Sequence, residues 1–379
     1  MIDVKVFYEA LLDEGIINFC GVPDSLLKNI CAYIADHTSL NNHLITANEG
    51  SAIALATGQY IATGKPSLVY MQNSGFGNAI NPLLSLADPK VYGIPMLLMV
   101  GWRGEPGFKD EPQHIKQGLI MEPLIDVCGY LSVVIEPETT NIKYLLREAV
   151  LSTTKLNQPV VLLIKKNTFS EYKLKNDLKD LGHFTREEAI KEIIRVTSPD
   201  DIFVSTTGMA SRELYEIREK SNMNHNRDFL TVGSMGHANM IALGIAQNSK
   251  KQIICIDGDG SVIMHLGNLT SIGHSMPKNF IHIIINNISH DSVGGQPTCA
   301  DRINIPMMAK SFGYNSAIKI KELNELKDYF LSLKGHDGPH LIEIIVKRGS
   351  RKDLGRPNTL PSENKKSIMR FINSSNEVS

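Results

Sequence analysis

Two β-branched runs, each ending in a polar cluster, constrain the fold of this chain more than any other feature. Ile253-Ile254-Cys255-Ile256 leads into Gly258-Asp259-Gly260-Ser261, and Ile281-His282-Ile283-Ile284-Ile285 leads into Asn286-Asn287. Continuous apolar runs bounded by turn residues read as parallel strands buried on both faces, and the segment between them reads as a helix. That βαβ spacing brings Asp259 and an Asn amide to the carboxyl edge of one sheet, where open α/β folds bind ligands. A carboxylate and an amide oxygen are a hard-oxygen pair suited to Mg²⁺ held on a diphosphate. The glycines let backbone N–H groups approach phosphates closely. A calcium loop opening at Asp257 would need Gly at its sixth position and Glu at its twelfth. Val262 and Asn268 stand there instead, so that reading fails. A plain strand-to-helix turn is the remaining alternative.

The 379 residues suggest two or three domains, and 42% hydrophobic residues allow a sizeable core. With 39 basic and 40 acidic residues the net charge is −1, so composition points to neither nucleic acid nor a membrane surface as partner. The five cysteines lie far apart without a CxxC, as expected of buried thiols in a reducing compartment. The N-terminus reads as a helix start and not a signal peptide, and no apolar run approaches a membrane span. The expectation is a cytoplasmic protein.

Helix and strand patterns alternate in both halves, which argues for parallel sheets covered on both faces. Strands are expected at 16–20, 43–47, 67–71, 96–100 and 160–164, then at 202–205, 229–232, 253–256, 281–285 and 341–346. The charged stretch 165–183 reads as a crossing between halves. The expected division is therefore 1–168, a linker at 169–184, 185–349, and a tail at 350–379 with an amphipathic patch at 368–372. A weak echo links the halves: Pro159-Val-Val-Leu-Leu-Ile-Lys closes the first, and Pro339-His-Leu-Ile-Glu-Ile-Ile-Val-Lys closes the second.

In the first half, Thr46-Ala47-Asn48-Glu49-Gly50 ends a strand and opens a helix of small residues. A Glu in the first helical turn is favoured by the helix dipole alone. In the second half, Val232-Gly233-Ser234-Met235-Gly236-His237 is a glycine-rich strand-to-helix turn.

Taken together, these segments resemble the thiamine-diphosphate-dependent 2-oxo acid decarboxylases. The resemblance implies two doubly wound parallel-sheet α/β domains, one pyrimidine-binding and one diphosphate-binding, with no central third domain. It implies thiamine diphosphate and Mg²⁺ as cofactors, with the metal held by Asp259, Asn287 and the carbonyl of Ser289. Glu49 would bond N1′ of the aminopyrimidine, a backbone carbonyl at Gly233 would accept from its amino group, and Met235 would wedge the cofactor into its bent shape. Gly258, Gly260 and Ser261 complete the diphosphate turn.

The segments Gly21-Val-Pro-Asp-Ser25, Gln72-Asn-Ser-Gly75, Asp110-Glu-Pro-Gln-His114, Ser292-Val-Gly-Gly-Gln-Pro-Thr298 and Asp353-Leu-Gly-Arg-Pro357 narrow the resemblance to the phosphonopyruvate decarboxylase family. Two departures are small: Ile288-Ser289 stands where Gly-Ala is commoner, and Asp291 where Glu is common. The implied substrate is phosphonopyruvate, with sulfopyruvate as the alternative. A component of a 2-oxo acid oxidoreductase and a silent assembly protein are weaker readings, since cysteines do not cluster and neither Glu49 nor the metal pair is lost. Candidate proton donors are Asp24, His114 and His290. Candidate substrate contacts are Arg103, Arg351 and Arg356, with Ser25 and Gln296 as neutral donors. The resemblance also implies a homodimer or larger assembly.

Overall fold

The computed structural model describes residues 1–175 and 180–373. By contact the chain divides into two compact units, Met1–Asp177 with Ser292–Gln296, and Leu178–Asp291 with Pro297–Ser379.

The first unit holds a sheet of six strands: β1 (Phe19–Gly21), β2 (His43–Ile45), β3 (Ser67–Gln72), β4 (Met96–Gly101), β5 (Leu131–Ile135) and β6 (Pro159–Ile164). Their order is β2-β1-β3-β4-β6-β5, and every pairing is parallel. Period-two alternation splits the buried strand residues between two cores. Leu97 and Met99 of β4 join the core under the helices Val4–Asp13, Lys28–His37 and Ile142–Leu156. Met96, Leu98 and Val100 join the opposite core, against the helices Glu49–Thr63 and Asn73–Pro82. Each such side chain contributes about 1.5–3 kcal/mol on burial, so a strand apolar on both faces is stable only between two helical layers.

The second unit repeats the plan with β7 (Ile202–Ser205), β8 (Asp228–Leu230), β9 (Ile253–Gly258) and β10 (Phe280–Asn286). After the two-residue strands β11 (Ser289–His290) and β12 (Gln296–Pro297), which lie outside both large sheets, come β13 (Ser316–Ile320) and β14 (His340–Ile345). The order, β8-β7-β9-β10-β14-β13, is strand for strand that of the first sheet, and again all parallel. The echo between the two closing segments has a structural counterpart, because β6 and β14 occupy the same place in their sheets.

Two expectations are corrected. β5 and β13 were absent from the strand assignment, and both are the terminal strand beyond the closing strand of their sheet. The segment between β9 and β10 is two short helices, Asp259–Met264 and Asn268–Ser275, and not one. Residues at the start of the expected linker are stitched to the first unit: Phe169 lies in its core, and Tyr172 donates to Asp36 at 3.0 Å. The middle of the charged run, 176–179, lies outside the described residues.

The tail is anchored. Residues 361–373 form a helix whose Ile368, Phe371 and Ile372 pack into a core of the second unit. The Asn364 amide donates to the carbonyl of Asp228 at 2.7 Å. Residues 374–379 lie outside the described residues. Among the described residues no helix is long and apolar enough to cross a membrane.

Candidate active site

In the first unit, polar side chains converge on the carboxyl edge of the sheet. Glu49 is the first residue of its helix, whose Asn48 side chain caps the Ser51 N–H at 2.9 Å. The Glu49 carboxylate is buried and accepts from the Asn78 amide at 2.8 Å. Gly75, two residues into the helix after β3, makes room for it. A Cβ there would come within 2.4 Å of the Glu49 carboxylate oxygen.

Beside this, four separate segments meet around Asp24, which is fully enclosed. Its carboxylate accepts from the Gln72 amide at 2.6 Å and from the Leu26 N–H at 2.7 Å. Burial raises its pKa, and those two hydrogen bonds oppose the rise. Arg103 follows β4, held by its backbone and by its side chain. The Asn73 amide donates to the Arg103 carbonyl at 2.7 Å, and Asp110 takes a bidentate pair from the guanidinium at 2.8 and 2.5 Å. One Arg103 nitrogen donates to the Ser25 hydroxyl at 2.8 Å. The adjacent Trp102 is buried, with its indole N–H on the Gly118 carbonyl at 3.0 Å.

His114 is buried nearby. Burial first, and repulsion from Arg103 second, push it down to about 4. Its Nδ1 has no hydrogen-bond partner among the described residues, nor has the enclosed amide of Gln296.

In the second unit, the edge is built from main chain. β9 runs without a loop into the helix that begins at Asp259. The buried Asp259 carboxylate takes the Thr298 hydroxyl at 2.5 Å and the backbone N–H groups of Asp259, Gly260 and Asn287. Burial raises it to about 6, and those hydrogen bonds oppose the rise. The Asn287 backbone thus comes to the Asp259 carboxylate at the carboxyl ends of β9 and β10. Asn286 turns away to donate to Glu343 at 2.8 Å. Ile288 takes a positive φ of 53°, an uncommon conformation for a β-branched residue, of the kind that clusters at functional sites. The Asn287 side-chain oxygen closes this turn by accepting from the Ser289 N–H at 3.1 Å.

The Gly233–Gly236 turn is bolted to the Asp259 turn. Ser261 accepts from the Gly236 N–H at 3.0 Å and lies 2.9 Å from the Thr206 hydroxyl. The Asn268 amide donates to the Gly236 carbonyl at 3.0 Å and to Asn239, which in turn donates to Asp257 at 3.2 Å. Ser261 is therefore a cross-link between the turns. Asp257, Cys255 and His282 bring one donor atom each within 4.8 Å of one another. Asp257 already accepts from Gly258 N–H and Asn239, which makes this buried group part of the framework.

His290 lies against Gly260, where a Cβ would come within 2.8 Å of its ring. Burial lowers its pKa to about 4, against an opposing pull from Asp291. Arg351 is engaged by three carboxylates. It pairs with Glu187 at 2.8 Å, with Asp353 at 3.0 Å and with Glu216, and so clamps the tail to two helices. Arg356 is exposed five residues further on.

Sequence reasoning missed Asn78 and Arg186 as partners of the site. It read Asp110, Gln72 and Thr298 only as members of motifs. Nothing in residue type signals that an Asn one turn beyond Gly75 will face Glu49.

Residues 4–122 match the thiamine pyrophosphate enzyme N-terminal TPP binding domain, and residues 204–344 match the corresponding C-terminal TPP binding domain. The chain is 31% identical to a phosphonopyruvate decarboxylase of Streptomyces viridochromogenes, over 98% of this chain and 95% of that one. It is also 31% identical to one of Streptomyces hygroscopicus, over 96% and 92%. A sulfopyruvate decarboxylase of Methanosarcina acetivorans is 27% identical over 90% of each chain. Two sheets of one topology, each matching a thiamine-diphosphate-binding domain, and near-full-length similarity to the Streptomyces proteins lead to one conclusion: the chain belongs to the thiamine pyrophosphate enzymes, in the phosphonopyruvate decarboxylase family.

Proposed function

We propose that this protein is a decarboxylase dependent on thiamine diphosphate and Mg²⁺, converting 3-phosphonopyruvate to phosphonoacetaldehyde and CO₂ in phosphonate biosynthesis. The observation that carries the reading is the similarity to the two Streptomyces proteins over nearly the whole chain.

The donor chemistry suits the cofactors. Asp259, the Asn287 amide oxygen and the Ser289 carbonyl form a hard-oxygen set for Mg²⁺. Among the described residues, and leaving aside its chain neighbours, no atom lies within 4 Å of where a Gly258 Cβ would sit, so the backbone there is open to a diphosphate. Glu49 would hold the aminopyrimidine ring, with Gly233 and Met235 as its further contacts. When bound, the cofactor supplies the electron sink that lets a 2-oxo acid lose CO₂.

The chain's own residues then have separate tasks. Arg103, aimed by Asp110 and Asn73, and the Ser25 hydroxyl beside it would receive the phosphonate. Asp24, with its raised pKa, is the best placed to hold a proton for the carbon that CO₂ leaves. His114 and His290, both pushed down to about 4, are neutral at pH 7 and serve as hydrogen-bond partners. The two units would act as the pyrimidine-binding and diphosphate-binding domains, and the working assembly is a cytoplasmic homodimer or larger.

The decisive experiment measures CO₂ release from phosphonopyruvate, sulfopyruvate and pyruvate, with and without thiamine diphosphate and Mg²⁺. Release that prefers phosphonopyruvate and needs both cofactors supports the reading. Preference for sulfopyruvate would move the protein to the activity named for the Methanosarcina relative. No cofactor-dependent release from any of the three would overturn it.

A further inference from the structure

Asn287 is held from both sides by groups that leave its amide one orientation. Its NH₂ donates to Asp291 at 2.7 Å, and its oxygen accepts from the Ser289 N–H at 3.1 Å. A carboxylate can only accept and a backbone N–H can only donate, so the amide cannot flip without losing both bonds.

Asp291 is itself fixed. The same oxygen that accepts from Asn287 takes the Gly349 N–H at 2.9 Å and a guanidinium N–H of Arg186 at 3.3 Å. Arg186 is buried and locked by a bidentate pair to Glu213 at 2.7 and 3.0 Å. The chain of contacts thus runs from Glu213 through Arg186 to Asp291 and Asn287. The base of the tail, at Gly349, joins at Asp291. All these residues belong to the second unit.

We propose that Asp291 is a positioning residue for the divalent cation. By fixing the NH₂ side of Asn287, it leaves the amide oxygen, with the lone pair that Ser289 does not use, as the atom offered to a cation. Arg186 and Gly349 hold Asp291 in place for that purpose. The inference rests on the proposed metal role of Asn287. Outer partners that orient a metal ligand commonly change affinity 10–100-fold when altered.

The test titrates Mn²⁺ into the full-length apoprotein with thiamine diphosphate present, following free Mn²⁺ by electron paramagnetic resonance. Asp291→Asn presents an amide that can donate as well as accept, and should weaken Mn²⁺ binding by about 10–100-fold. Asp291→Glu keeps an acceptor-only group and should restore most of the affinity, a rescue that a merely structural role would not produce. Arg186→Lys loses the planar fork and should weaken binding by a smaller factor. It also carries the test if Asp291→Asn does not fold. Wild-type affinity in folded Asp291→Asn or in folded Arg186→Lys overturns the inference while leaving the proposed metal site intact. Failure of the wild type to bind Mn²⁺ with thiamine diphosphate overturns both.

Discussion

The two sheets share one strand order, yet their carboxyl edges are built from different material. The first edge is made of side chains: Glu49, Asp24, Gln72, Arg103 and Asp110, each gripped by another side chain or a nearby N–H. The second is made largely of main chain, with three backbone N–H groups turned on one carboxylate. Glycine takes a comparable part in both, since Gly75 clears space for Glu49 and Gly260 clears space for His290. The lesson is that topology decides where a site lies, and the first residues after the strands decide what it can hold. Side chains on rigid strand ends suit proton and anion work, whereas clustered N–H groups suit phosphate.

The largest test of this contrast is Glu49→Gln. It should lower turnover by about 10²–10⁴-fold with the unfolding temperature near that of wild type, checked by CO₂ release and calorimetry. A mild loss would mean that the side-chain edge has no special part. Next come the two glycines. Gly75→Ala drives a methyl against Glu49 and should cost about 1–3 kcal/mol in denaturant unfolding. Glu49→Ala should relieve most of that cost in the double variant. Gly260→Ala should cost less, because the ring edge it meets can shift. No cost at Gly260, or no relief in the double variant, would remove the parallel between the edges.

Arg103→Lys keeps the charge and loses the fork that Asp110 holds. The expected result is a KM for phosphonopyruvate raised by roughly tenfold, with a smaller change in kcat. The smallest effect concerns pH. Burial pushes His43 down to about 4, with its Nε2 2.8 Å from the Tyr70 hydroxyl. Its unfolded form takes a proton below about 6.5. As pH falls from there toward 4, the unfolded chain binds the proton and the folded one does not, so stability drops. The loss from this group should be about 1 kcal/mol between pH 7 and 5.5, and His43→Gln should flatten the profile by that amount.

Much of the fold was legible because both-face burial forces nearly continuous apolar strands, as in Met96–Gly101 and Phe280–Asn286. The same reasoning explains the two missed strands. Leu131–Ile135 is largely exposed and Ser316–Ile320 alternates in burial, so neither terminal strand carries that signature. Within the site, Asp259 and Asn287 could be paired from spacing because one βαβ unit brings them together. The Asp24–Gln72 and Arg103–Asp110 contacts were out of reach, since they depend on how loops after three different strands lean together. The carboxylate partners of Arg351 were out of reach for a related reason. Nothing in a polar tail signals that the carboxylates of two distant helices surround its Arg.

The chain contains a single tryptophan, and it is Trp102, buried on the Gly118 carbonyl and one residue before Arg103. Its emission is therefore a fluorophore's view of one loop, uncontaminated by any other indole. Titrating an anion against that signal would report on the Arg103–Asp110 arm in a protein carrying no label.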